Sequence, residues 1–232
     1  MTRTEEYAPG RLLDVRGETG PVVLLWHGRG ADARGVLATL SERIAGHGLT
    51  VVTADWDADR PDGGRGDLLG SLGRARELAV ERDQDPDTIT VAGWSLGAVA
   101  ATGLALDTEG LGLGVGALVL IAPADGPRAV NALSGRPLPA SLPDGAGRCH
   151  IDIVYGESDT VTPPDMVCGL ELRLRAAGWA TSLHELDGDH GDVVGSTYDE
   201  RRDAYVPAAT PRALAGATAT AQVVAAAATS SS

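Results

Sequence analysis

The most constraining feature of this 232-residue chain is a five-residue turn, Gly93-Trp94-Ser95-Leu96-Gly97. Residues 88–92 before it form a short, partly β-branched run, the pattern of a buried strand. From Leu96 to Leu106 the residues are mostly small and suit a helix packed close to a sheet. A strand that turns into a helix this abruptly leaves its central residue strained and requires small neighbours, here Gly93, Gly97 and Ala98. The turn lifts the Ser95 hydroxyl above the carboxyl end of the strand, where open α/β sheets bind ligands.

The rest of the chain repeats this alternation. Strand-like runs at 12–15, 21–26, 50–54, 117–122, 151–155 and 181–186 are separated by helical patterns at 36–45, 67–81 and 164–177. Such order predicts a single α/β domain over 1–229, with a mostly parallel twisted sheet and helices on both faces. Residues 1–10 read as a loose N-terminal arm. Residues 123–148 are rich in Pro and Gly and read as a short lid-like connection, too short for a large helical cap. Residues 192–209 are polar and lack a clear period. Thr210-Pro211 is an N-cap followed by proline, opening an Ala-rich helix to about residue 228, and 230–232 read as a disordered tail.

With no Phe, aliphatic side chains must supply most of the core. The 32 acidic against 19 basic residues leave a net charge of −13, which repels phosphate backbones and excludes nucleic acid as an expected partner. Two cysteines, Cys149 and Cys168, are too few for a disulfide framework and read as reduced thiols in a cytoplasmic protein. No signal-peptide pattern opens the chain, and no membrane span is expected.

A serine hydroxyl needs a base to act as a nucleophile. Of the histidines after Ser95, His150 begins a strand and His184 lies inside one, whereas His190 follows a strand end in Asp187-Gly188-Asp189-His190-Gly191. His190 is the expected base. The orienting acid is expected to be Asp159, just past a strand end, with Glu157 and Asp125 as rivals. Developing oxyanion charge needs backbone donors. Leu96 N–H supplies one, and Arg29 N–H, in His27-Gly28-Arg29-Gly30 after the 21–26 strand, supplies the other. His27 reads as a structural residue holding that loop. The Arg29 side chain either meets a substrate carboxylate or is solvated. Gly28, Trp56 and Trp94 are the expected substrate contacts. Asp55-Trp56-Asp57-Ala58-Asp59 resembles the start of a calcium loop, but Arg60 and Gly66 stand where Gly and Glu are needed, so no metal is expected.

His27-Gly28-Arg29-Gly30, Gly93-Trp94-Ser95-Leu96-Gly97, Gly156-Glu157-Ser158-Asp159 and Asp189-His190 fall in the order found in the α/β-hydrolase superfamily, which the chain resembles from residue 21 to about 191. It is similar to the small dienelactone hydrolase, carboxylesterase and acyl-thioesterase group. That resemblance implies an α/β-hydrolase fold with little or no cap and a catalytic triad of Ser95, Asp159 and His190. It also implies cleavage of a small-molecule ester through an acyl-enzyme on Ser95, without a cofactor. Two alternatives stay open: a thioesterase or acyltransferase in a biosynthetic pathway, and a non-catalytic ligand-binding scaffold.

Overall fold

The computed structural model describes residues 2–145 and 147–230. In chain order the strands are β1 (Thr2–Ala8), β2 (Arg11–Arg16), β3 (Val22–Trp26), β4 (Thr50–Ala54), β5 (Thr90–Trp94), β6 (Ala117–Ile121), β7 (Val130–Asn131), β8 (Arg136–Pro137), β9 (His150–Gly156), β10 (Thr181–Leu186), β11 (Ser196–Asp199) and β12 (Ala204–Pro207). The helices are α1 (Ala38–Ala45), α2 (Arg65–Val80), α3 (Leu96–Leu106), α4 (Thr108–Leu111), α5 (Pro164–Ala176) and α6 (Pro211–Ser230).

Eight strands form one sheet in the order β1-β2-β4-β3-β5-β6-β9-β10. From β4 to β10 the pairing is parallel, and β2 and β1 add antiparallel at one edge. The parallel strands β3, β4, β5 and β6 are buried on both faces, which explains their continuous apolar runs. Alternate residues serve opposite cores. Val22, Leu24 and Trp26 face the layer containing α2, α3 and α5, while Val23 and Leu25 face the layer containing α1 and α6. The chain leaves β3 toward the α1 layer and leaves β5 toward the α3 layer. Adjacent strands that exit to opposite faces open a crevice at their carboxyl ends, and this is where a ligand site belongs.

Several expectations need correction. Residues 2–8 are not a loose arm. They pair with β2, and Tyr7 donates a hydrogen bond to the Asp55 carbonyl at 2.5 Å. Their polar sequence hides this, because an edge strand is held by backbone pairing and needs little apolar alternation. β5 begins at Thr90 rather than 88, because Asp85 accepts from Asp87 N–H at 2.9 Å and caps a 3-10 turn over Pro86–Thr88. The unperiodic 192–209 segment contains the β11–β12 hairpin. Residues 123–148 hold the small β7–β8 pairing and no helix among the described residues.

Helix α6 starts as expected, with Thr210 Oγ1 accepting from Ala213 N–H at 3.2 Å. Its 20 residues and mean hydropathy of 1.2 would by length and composition suffice to cross a membrane, contrary to the expectation of no such run. Here Ala213, Ala217, Ala221 and Val224 are buried, and the helix packs against α1 and the sheet. The helix continues to Ser230, while the rest of the expected tail, 231–232, lies outside the described residues.

Candidate active site

Ser95 sits between β5 and α3 with φ 55° and ψ −115°, a left-handed conformation rare for a side-chain-bearing residue. Its N–H is held by the Ile121 carbonyl at 2.9 Å. The turn closes only because its flanks lack side chains. A Cβ on Gly93 would lie 2.2 Å from the Gly97 carbonyl oxygen, and one on Gly97 would lie 2.4 Å from the Trp26 carbonyl oxygen. Gly97→Ala is therefore expected to cost about 3 kcal/mol and lower Tm by about 10 °C, measured by thermal melts. An unshifted Tm would contradict this packing.

His190 and Asp159 form a buried pair. The His190 Nδ1–Asp159 Oδ2 distance is 2.7 Å, and the two side chains are 3% and 0% exposed. Asp159 Oδ1 accepts from the N–H groups of Val161 and Thr162 at 2.7 and 2.9 Å, and Oδ2 also accepts from Thr162 Oγ1 at 2.7 Å. Burial alone would raise the Asp159 carboxyl above its usual range. The hydrogen bond and charge of His190, together with the Thr162 hydrogen bonds, outweigh burial and hold it below that range. The His190 main chain is held as well, because Trp94 Nε1 donates to its carbonyl at 2.9 Å, and the Trp94 ring lies 5.0 Å from the imidazole. With Nδ1 committed to Asp159, Nε2 is the nitrogen left without a hydrogen-bond partner among the described residues. Ser95 and His190 line one cavity of about 670 Å³.

The N–H groups of Arg29 and Leu96 have no acceptor among the described residues, and both residues line the same cavity. Leu96 opens α3, so its N–H also carries the positive end of a helix dipole. The Arg29 loop is built around His27. The His27 Nε2 accepts from Trp56 N–H at 3.2 Å and Ala33 N–H at 3.3 Å, so Nδ1 carries the proton and donates to the Gly28 carbonyl at 2.8 Å. Trp56 Nε1 returns a bond to the His27 carbonyl at 3.0 Å. Asp55 pins the far end of the loop, accepting from Arg34 N–H at 3.1 Å and from its guanidinium.

Full burial lowers the His27 pKa to about 4. This predicts an acid-sensitive fold. Between pH 6.5 and 4 the unfolded chain binds a proton that folded His27 refuses. The contribution is complete above pH 6.5 and is lost as pH falls toward 4, an effect of about 3 kcal/mol. Urea unfolding of the native protein and His27→Gln at pH 7 and 4.5 measures it. The native protein should lose more stability on acidification than the variant, and parallel losses would contradict the assignment.

No protein-family model matches the chain, and no curated protein sequence matches it. Solved structures do. An arylesterase superposes with a TM-score of 0.70 at 15% identity, covering 100% of this chain and 86% of its own. A bacterial heroin esterase gives 0.68 at 18% identity over 94% and 79%. Esterase LipW from Mycobacterium marinum gives 0.66 at 22% identity over 94% and 77%. The chain has the α/β-hydrolase fold.

Within this hydrolase fold the remaining candidates separate clearly. Glu157 is exposed, and Asp125 is engaged by the Arg173 guanidinium at 2.9 Å to each carboxylate oxygen. His150 contacts Ser182 Oγ at 2.9 Å and His184 contacts Asp152 at 2.8 Å, on β9 and the edge strand β10, and neither lines the cavity of Ser95. Gly28 packs against Ser95, where a Cβ would lie 3.1 Å from the serine Cβ. Trp56 is 1% exposed, stacks on His27 and also lines a second, smaller cavity that shares Arg29 and Leu96 with the first. The calcium-like segment 55–59 likewise serves the Arg29 loop through Asp55 and Trp56. The Arg29 side chain is largely exposed and lies 3.4 Å from Asp59. Trp94 lines the cavity but is mainly a brace for His190.

Sequence reasoning missed Tyr205, Thr162 and Met166. Tyr205 reaches the cavity from the β11–β12 hairpin, with its ring 5.0 Å from Trp94 and 5.6 Å from His190. Burial and the nearby Asp189 and Asp159 push its phenol up to about 12, so it stays protonated at neutral pH. A hairpin in a polar, unperiodic stretch leaves no local signal. Thr162 had one, since it lies three residues beyond Asp159 in the turn that cages the carboxylate.

Proposed function

We propose that this protein is a serine hydrolase that cleaves carboxylic esters of small molecules through an acyl-enzyme on Ser95. The observation that carries the reading is the buried His190–Asp159 pair opening on the same cavity as a strained Ser95 and two unsatisfied N–H groups. The esterase names of the structural neighbours agree with it.

In the proposed reaction His190 Nε2 takes the Ser95 proton as Oγ attacks the ester carbonyl. The N–H groups of Arg29 and Leu96 receive the oxyanion, and Asp159 stabilises the imidazolium. The imidazolium then protonates the departing alcohol. Water, activated by the same imidazole, releases the acid. These residues need no metal or cofactor for that sequence. A thioesterase of polyphosphate-bearing carriers fits less well, because a surface of net charge −13 repels such substrates. A reducing cytoplasm belongs to the proposal, consistent with Cys149 and Cys168 being unbridged.

Labelling with a fluorophosphonate probe tests the reading. A working triad should give one adduct, mapped to Ser95 by peptide mass spectrometry. A protein that stays unlabelled would be a ligand-binding scaffold. Turnover of matched oxyesters and thioesters on the same preparation then ranks the two enzymatic readings.

A further inference from the structure

We propose that two adjoining cavities divide the ester between them, so that the preferred substrate joins a short acyl group to a bulky, largely apolar alcohol. The inference rests on the serine-hydrolase reading above. Beside the 670 Å³ cavity lies a second of about 380 Å³, bounded by Trp56, Ala58, Arg60, Val130 and Ala132. The two cavities have only Arg29 and Leu96 in common. Those are the residues whose N–H groups lack acceptors, so a carbonyl oxygen bound there places the carbonyl carbon at the junction.

The two remaining substituents of that carbon must then go to different sides, and proton transfer decides which. Ser95 Oγ bonds to the carbonyl carbon while its proton passes to His190 Nε2. The bond from that carbon to the alcohol oxygen breaks, the electron pair stays on oxygen, and the same Nε2 proton neutralises it. The leaving oxygen must therefore lie within hydrogen-bond reach of His190. His190 lines the larger cavity and not the smaller. The alcohol belongs in the larger cavity and the acyl chain in the smaller.

The linings match this division. On the alcohol side Val161, Met166 and the Tyr205 ring present apolar surface to the cavity. The one carboxylate there, Asp125, is neutralised by Arg173. The Tyr205 hydroxyl has no partner among the described residues and stands ready for one polar atom of the alcohol. On the acyl side the cavity is smaller, and Arg60 and Asp62 at its rim disfavour a long hydrocarbon chain.

A two-way ester series tests the proposal. Acetyl, butyryl and octanoyl groups are each joined to ethanol and to cyclohexylmethanol, alcohols of similar acidity, so that leaving-group chemistry is held nearly constant. Expected is a kcat/KM at least tenfold higher for the cyclohexylmethyl ester at fixed acyl group, and at least tenfold lower for octanoyl than for acetyl at fixed alcohol. Ala58→Leu, which narrows the small cavity, should depress butyryl relative to acetyl while keeping the ethyl-to-cyclohexylmethyl ratio. Met166→Ala should reduce the cyclohexylmethyl preference while keeping the acyl profile. The reverse pattern, or no change in either series, would overturn the division while Ser95 labelling still upheld the hydrolase reading. No turnover of any ester together with no labelling would remove both.

Discussion

Ser95→Ala is expected to lower kcat for p-nitrophenyl acetate by roughly 10⁶-fold, the loss seen when a triad nucleophile is removed. The substitution leaves the rest of the site in place. Serine and alanine both carry a Cβ, so the strain of φ 55° is the same in each, and the hydroxyl makes no hydrogen bond among the described residues that folding would lose. The variant should keep its far-ultraviolet circular dichroism and its Tm. A residual rate above water is expected from the Arg29 and Leu96 donors alone. Steady-state kinetics with the melting curve decide the matter. Turnover at the native rate would show that Ser95 is not the nucleophile.

Asp159→Asn should cost about 10⁴-fold in kcat, through the imidazole tautomer rather than through geometry. Asp159 Oδ1 is surrounded by donors, the N–H groups of Val161 and Thr162. In the variant the amide oxygen must stay at that position, since an NH₂ there would face two N–H groups. The amide nitrogen is thereby forced to the Oδ2 position, 2.7 Å from His190 Nδ1. It donates to Nδ1 and drives the imidazole proton to Nε2, the nitrogen that must be free to accept from Ser95. The defect should persist across the neutral range with KM little changed. It should also be partly relieved at high pH, where hydroxide can stand in for the missing base. A drop of less than tenfold would mean that Asp159 does not set the tautomer.

These two effects depend on residues that were legible to different degrees. The serine turn was readable because its constraint is local. A Cβ at position 93 would meet the Gly97 carbonyl within the turn itself, and one at position 97 would meet the Trp26 carbonyl of the strand every such turn packs beside, so a chain making the turn records both glycines in its sequence. His190 and Asp159 were readable through topology, since residues just beyond the carboxyl ends of parallel strands gather at one edge of the sheet. The role of His27 was legible as a structural one, but its partners were not, because Trp56 lies 29 residues away and the loop they form exists only once β3 and β4 pair.

The N-terminal arm and the β11–β12 hairpin mark the opposite limit. Thr2–Ala8 is polar, and its order comes from main-chain hydrogen bonds to β2 and from Tyr7 reaching Asp55. Backbone pairing is nearly blind to side-chain identity, so it leaves little trace in a sequence pattern. Tyr205 is brought against Trp94 and His190 by a hairpin that packs on the finished domain. By itself, then, the sequence determined the α/β alternation, the strained serine turn and the order of the candidate site residues, because each follows from local sterics or from the parallel sheet. Only the tertiary structure decided which side chains brace the imidazole, that Trp56 both holds the Arg29 loop and borders the smaller cavity, and how the space around Ser95 is divided. Those depend on segments far apart in the chain meeting at fixed distances.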